Sequence, residues 1–268
     1  MKNFRFLFLA FFITVLGISF IGAQSTTTNN IRGMSFNGTT GLFTVPTGQI
    51  AWGQNTDVGL DLGYHAIIHK GDATNLPAAN VSLFKLVEFS AAYDVQPKDY
   101  SPGNDFIGGA KVQLPITKTN IAIGGNFQAL NVGKTGDYSA GQLYVAVTYP
   151  GQFFSWPAET TMVVGKTFCK YAEDWDIDFG MGFDLVILPT YLNNFVHWVT
   201  DFSNFSYSWE AFGANATYRG DLNTGLRIDL AQIPALSKFK FQVDVLMTDA
   251  FDNDRSFSVG AVFGVPIL

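Results

Sequence analysis

The sequence predicts an all-β fold, namely a single transmembrane antiparallel β-barrel of about 12 strands. Three observations support this prediction. Segments of roughly ten residues alternate between apolar and polar side chains along most of the chain, which is the period of strands with two different faces. Clusters of Gly, Pro, Asn and Asp separate these segments, as in reversals between antiparallel strands. Only 14% of the 268 residues are charged, while 15% are aromatic, which is too little charge for a water-exposed exterior.

The N-terminus resembles an export signal. A basic MKNFR is followed by the apolar run FLFLAFFITVLGISFI and by small residues near Ala23, the order found in signal peptides. An uncleaved anchor is the alternative, but the run is short for a transmembrane helix. The predicted divisions are a cleaved signal peptide (1–24), a polar leader that either enters the barrel or stays mobile (25–54), and the barrel itself (55–268).

Alternation places the predicted strands one by one. In VEFSAAYDV, for example, Val87 and Phe89 share one face while Glu88 and Asp94 share the other. Uncertain boundaries leave a range of about ten to fourteen strands. The other segments with this pattern are 55–67, 119–130, 139–149, 174–187, 221–230, 238–247 and 255–268.

Alternating strands also fit a soluble β-sandwich, in which the apolar face points to the core. In a membrane barrel the apolar face points to lipid and the polar face lines the lumen. The length of the strands, the many aromatics and the low charge favour the barrel. We therefore predict a location in the bacterial outer membrane, in contact with its lipid.

The C-terminal segment RSFSVGAVFGVPIL (255–268) alternates to its end and resembles the closing strand of outer-membrane barrels. In those barrels the assembly machinery recognises an alternating C-terminal segment, so this resemblance implies barrel-assembly machinery as a partner. The family pattern ends in an aromatic residue, whereas this chain ends in Pro266, Ile267 and Leu268.

The stretch DWDIDFGMGFDLVILP (174–189) poses the question of a metal site, because Asp174, Asp176 and Asp178 stand two residues apart. A calcium loop that began at Asp174 would need Gly at its sixth position and an acid at its twelfth. Those positions hold Phe179 and Leu185, so the stretch fails as a calcium loop. As a strand, the stretch has an apolar stripe on one face, and on the opposite face it has Asp174, Asp176, Asp178 and Asp184. We predict no metal site and no cofactor.

The polar phase of the strands predicts the functional class. It carries more acids than bases, and a ring of carboxylates favours cations. We therefore expect a porin-like channel for small solutes or ions with an acidic, cation-preferring lumen. The three histidines lack the partners of a catalytic triad, so no enzyme is predicted, and the net charge of −6 disfavours nucleic acid. The candidate lumen-lining residues are Asp57, Asp61, Glu88, Asp94, Asp174, Asp176, Asp178, Asp184, Arg227, Asp229, Lys240 and Asp244.

A family resemblance adds an alternative function. GTTGLFTVPTGQIAWGQN (38–55) contains Gly41-Leu42 and Pro46-Thr47, and it resembles the opening of YjbH-like outer-membrane proteins. SLFKLVEFSAAYD (82–94) and FIGGAKVQL (106–114) are similar to the strand pairs that follow in such proteins. The likeness covers about the first half of the mature chain, and those proteins are generally much longer. It implies a non-conducting envelope barrel with a structural or exopolysaccharide-associated role.

Overall fold

The computed structural model describes most of the chain after the N-terminal region. The predicted signal peptide (1–24) lies outside the described residues, so it stays a prediction. No helix in the described part of the chain is long and apolar enough to cross a bilayer. The described ranges are 32–52, 56–98, 103–116, 118–132, 137–169, 177–209, 211–214, 216, 220–252 and 255–268.

The chain folds into a closed antiparallel barrel of twelve strands, which confirms the predicted fold class. Each strand pairs with its neighbours in sequence, and the first pairs with the last, with Gly59 opposite Pro266 and Ile68 opposite Phe257. Closure leaves no unpaired strand edge. The strands are β1 (Val58–His69), β2 (Asp72–Leu83), β3 (Val87–Asp94), β4 (Asp105–Leu114), β5 (Asn120–Leu130), β6 (Tyr138–Phe153), β7 (Trp156–Cys169), β8 (Asp178–Val186), β9 (Val196–Ser203), β10 (Asp221–Asp229), β11 (Lys240–Thr248) and β12 (Ser256–Pro266).

The outer face of the barrel is apolar. On β6 the side chain of Leu143 is 64% exposed, and Phe89 on β3 and Phe257 on β12 are also more than half exposed. Neighbours in the opposite phase, such as Glu88 on β3 and Ser258 on β12, are buried. A soluble sandwich would have the reverse arrangement, so the alternation of the sequence is realised with its apolar side outward.

The two ends of the barrel differ. At the terminal end, where the chain enters β1 and leaves β12, most connections are short, and two of them contain a short helix, α1 (Pro189–Leu192), and a 3-10 turn (Leu230–Gln232). At the opposite end, called here the loop end, the longest connection joins β9 to β10 over residues 204–220. The described part of that connection includes the buried side chains of Tyr207, Ser208, Ala211 and Phe212.

The barrel interior is filled by the segment that precedes β1. Residues 32–52, called here the plug, are buried throughout from position 33 to position 50. The plug turns tightly, with the Ser35 amide donating to the carbonyl of Thr39 at 2.9 Å. Gly38 has φ of +84°, and a Cβ there would lie 2.9 Å from the carbonyl oxygen of Ala91, so this turn requires glycine.

The plug gives the barrel a packed hydrophobic core. Its apolar side chains, including Phe36 and Phe43, meet inward-facing residues of the wall such as Ile107, Val199 and Val262. The interior therefore combines an apolar core, to which the wall contributes, with the buried polar side chains of the wall.

Candidate functional site

The candidate site is the contact between the barrel wall and the plug. Asp201 on β9 is fully buried, and one of its carboxylate oxygens accepts the main-chain N–H groups of Phe43, Thr44 and Val45 at 2.8, 2.7 and 3.1 Å. Asn223 on β10 donates to the other oxygen at 2.9 Å. Charge-assisted bonds of this kind are stronger than neutral ones, so Asp201 fixes one turn of the plug.

A second wall carboxylate, Glu88 on β3, holds two further parts of the plug. It accepts the amides of Thr40 at 2.8 Å and Ala51 at 3.0 Å, together with the hydroxyl of Thr39 at 2.7 Å. Lys111 on β4 lies 3.3 Å from Glu88 and donates to the carbonyl of Thr40 at 2.8 Å. The buried ion pair thus binds both an N–H group and a C=O group of the plug.

A third anchor is centred on Arg227 on β10. Its guanidinium donates twice to Asp244 on β11, at 2.9 and 3.1 Å, and to the carbonyls of Gly41 and Leu42, each at 3.3 Å. It also lies 5.4 Å from the ring centre of Phe43, within the range of a cation–π contact. Arg227 therefore joins the wall to the plug through charge, hydrogen bonds and an aromatic face.

Two more buried pairs lie toward the terminal end. Lys240 on β11 donates to Asp61 on β1 at 2.6 Å, and the other oxygen of Asp61 accepts the indole N–H of Trp52 at 2.6 Å. On β8 and β9, a ring nitrogen of His197 lies 2.6 Å from Asp184. Lys240 thus neutralises Asp61, and His197 gives Asp184 a hydrogen-bond partner.

The loop end is organised differently, because its buried carboxylates accept mainly from neutral donors. The Tyr207 hydroxyl donates to Asp94 at 3.0 Å, and Ser208 donates to Asp105 at 2.7 Å. Burial and the adjacent carboxylates hold the pKa of the Tyr207 phenol well above its usual range, so it remains a neutral donor. Asp178 accepts from Gln142 at 2.7 Å.

The β9–β10 connection also contacts the plug directly. The ring of Tyr207 meets that of Phe36 edge-on, with 5.6 Å between centroids. The same connection is fixed to the wall, because Thr248 on β11 donates to the carbonyl of Gly213 at 2.6 Å. The plug is thus covered from the loop end as well as held by the wall.

Little free space separates the plug from the wall beside Arg32. A cavity of about 10 Å³ there is lined by Gln49, Glu159, Asp184 and Arg227, among other residues. This is the room of about one water molecule. Within the described residues, no three His, Cys, Asp or Glu side chains are grouped so that they could hold a metal ion.

Most of the acids and bases expected to line the lumen lie inside the barrel. Asp174 and Asp176 lie outside the described residues. Buried in the interior are Asp61, Glu88, Asp94, Asp178, Asp184, Arg227, Asp229, Lys240 and Asp244.

The expectation for Asp57 is corrected. Its side chain is 65% exposed and pairs with Lys85 at 3.3 Å, because β1 begins one residue later, at Val58. The alternation seen in the sequence extends beyond the strand, and Asp57 lies just before β1, at the terminal end of the barrel.

Sequence reasoning missed several interior residues. Asp201, Lys111 and Glu159 were not among the candidates. For Asp201 the signal was hidden, because the inward phase of VHWVTDFS also contains the apolar Val199. Lys111 does stand in the polar phase between Ala110 and Val112, so alternation could have found it.

Solved structures of bacterial porins resemble this barrel in fold. The KdgM porin superposes with a TM-score of 0.51 at 8% identity, over 76% of this chain and 98% of that one. The NanC porin gives a TM-score of 0.52 at 9% identity, over 78% of this chain and 100% of that one. The fold is that of the 12-strand outer-membrane porins. At these identities the likeness is one of fold.

Comparison with sequences adds little. No family model matches the chain. Protoheme IX farnesyltransferase of Cereibacter sphaeroides is 37% identical over 71 residues, which are 26% of this chain and 25% of that protein. The chain therefore spans about a quarter of the curated relatives that it matches, and this short match assigns no activity to the porin fold described above.

Proposed function

We propose that the protein is a porin-like channel of the bacterial outer membrane, closed in this conformation by its own plug. The porin fold, the apolar outer face and the charged interior support this proposal. Outer-membrane lipid would contact the outer face, and the barrel-assembly machinery would insert the chain. The observation that carries the proposal is the plug. It fills the interior with residues that belong to no barrel strand, so it can leave without breaking a strand pair.

We further propose that the open lumen prefers cations. Asp94, Asp178, Asp201 and Asp221 lie at or near the loop-end termini of their strands, and their hydrogen-bond partners include Gln142 and other neutral groups. The bases Lys111, Arg227 and Lys240 lie toward the terminal end, each beside an acid. An ion entering from the loop end would meet carboxylates first, and rings of carboxylates favour cations.

Conductance in planar bilayers tests this function. We expect the full chain to show rare openings, because the plug occupies the lumen. A variant that lacks residues 33–51 should show long-lived openings with potassium permeating better than chloride. Circular dichroism of the same sample checks that the variant barrel is folded. A folded variant that passes no ions would refute the channel.

The second candidate function is a non-conducting envelope barrel with a structural or exopolysaccharide-associated role, as the YjbH-like resemblance implies. The dense anchoring of the plug by Asp201, Glu88 and Arg227 favours it, since removing the plug would take away the main-chain N–H and C=O groups that these buried side chains bind. Loss of surface polysaccharide on gene deletion, with unchanged uptake of small solutes, would support this role over a channel.

A further inference from the structure

We propose that the barrel interior is a peptide-binding lumen. With the plug withdrawn, it would take in its place a polypeptide segment that adopts the turned path of the plug, recognised mainly through the main chain. This inference rests on the proposed function, because it requires a plug that can leave the lumen.

The first observation is that the wall binds the plug mostly through main-chain groups. Wall side chains accept the N–H groups of Thr40, Phe43, Thr44, Val45, Gly48, Ile50, Ala51 and Trp52. Wall side chains donate to the carbonyls of Gly38, Thr40, Gly41, Leu42 and Thr47.

The second observation is that the acids and the bases of the wall bind different main-chain groups of the plug. The carboxylates Glu88 and Asp201 receive N–H groups, whereas Lys111 and Arg227 donate to carbonyl groups. A polypeptide presents one N–H donor and one C=O acceptor at almost every residue. A wall that offers acceptors and donors at several levels therefore matches a peptide better than it matches a simple ion.

Side-chain selectivity is confined to a few positions. A Cβ at Gly48 would lie 2.1 Å from the carbonyl oxygen of Asn120 on β5, so the lumen admits only glycine there. Phe36 packs edge-on against His65 at 5.1 Å, and Phe43 lies beneath Arg227. The preferred ligand would carry two aromatic residues seven positions apart, a glycine two positions after the first, as at Gly38, and a glycine five positions after the second.

The simpler alternative is that the plug is a permanent part of the core, because any segment buried in a protein needs partners for its main chain. The two accounts differ in exchange, because a permanent core does not release its segment and bind another copy from solution.

The experiment uses the full chain with a protease recognition sequence placed between Trp52 and Thr56. The protein is folded and reconstituted into liposomes with the plug attached, and then cut. A fluorescent synthetic peptide of residues 33–52 is added, and its binding is followed by anisotropy. We expect saturable binding that unlabelled peptide reverses.

Matched variants test the mode of recognition. A peptide with Gly48→Val should bind roughly five- to a hundredfold more weakly, because the Asn120 carbonyl blocks its side chain. Cut barrels with Asp201→Asn should also bind at least about tenfold more weakly, since a neutral amide replaces the carboxylate that accepts three main-chain N–H groups. Barrels with Lys85→Ala, which changes an exposed pair outside the lumen, should bind as the unsubstituted barrel does.

Several results would overturn the inference. These are failure of the cut protein to bind the peptide, equal binding of the Gly48→Val peptide, and loss of barrel circular dichroism once the plug is released. Ion conductance without peptide binding would overturn the inference but leave the channel standing. Peptide binding without ion conductance would support the inference and refute the channel.

Discussion

At the scale of single residues, Arg227 joins the wall to the plug through two hydrogen bonds and a cation–π contact. Replacing it by alanine leaves Asp244 buried without its guanidinium partner and frees the carbonyls of Gly41 and Leu42. Removing one partner of a buried ion pair costs about 3–5 kcal/mol. We therefore expect Arg227→Ala to lower the free energy of unfolding by about that amount, measured by urea titration in lipid vesicles.

The matched control for this substitution is Lys85→Ala. Lys85 pairs with Asp57, but the two side chains are 44% and 65% exposed, and exposed pairs contribute only about 0–1 kcal/mol. A loss for Arg227→Ala as small as the loss for Lys85→Ala would show that the Arg227 anchor does not stabilise the plugged state.

At the scale of elements, the plug packs closely against β5 at Gly48. A Cβ added at this position would lie only 2.1 Å from the Asn120 carbonyl oxygen, so Gly48→Val must push the plug away from β5. Overpacking of this kind costs about 1–3 kcal/mol. Since about 1.4 kcal/mol is a factor of ten, we expect openings in bilayers to become roughly five- to a hundredfold more frequent.

Gly141→Ala is the control for Gly48→Val, because a Cβ at Gly141 meets its nearest neighbour, the Asn126 carbonyl oxygen, at an ordinary 3.8 Å. Opening frequency should stay near that of the unsubstituted chain. If Gly48→Val also left the frequency unchanged, the plug would not be the element that closes the lumen.

The elements also show what the sequence could predict. Strands such as β3 and β12 follow the alternation closely, because one face meets lipid-like surroundings and the other meets polar groups. Other strands, such as β2 and β9, are weaker in sequence, because Leu76 and Val199 face inward and pack in the core that the plug creates. The prediction of a polar, wet interior could not anticipate these apolar inward residues.

The plug itself has no local pattern from which its structure could be predicted. It has neither a helical nor a strand period, and its turns are fixed by partners far away in the sequence, such as Asp201 for Phe43 to Val45. Most acids of the candidate site could be predicted, because charge in the polar phase of a strand is a local signal. Their pairing with bases and with plug amides depends on the closed barrel, and so it could not.

At the scale of the whole molecule, the outer face decides whether the barrel belongs in a bilayer. Leu143 is 64% exposed and stands opposite Gly125 near the middle of β5, at the expected centre of the membrane. A lysine on the lipid face costs about 2–4 kcal/mol at the midplane and about 0–1 near the interface. We expect Leu143→Lys to lower the free energy of unfolding in vesicles by the larger amount.

The control for Leu143→Lys lies on the same hairpin. Phe154 is 91% exposed in the turn between β6 and β7, so Phe154→Lys should cost no more than about 1 kcal/mol. Both free energies come from urea titrations in the same vesicles. Depth in the bilayer is the main physical difference between the two positions, because both lysines replace exposed apolar side chains. Equal losses would mean that the outer face does not sit in hydrocarbon, and recovery of the unsubstituted protein in the soluble fraction without detergent would lead to the same conclusion.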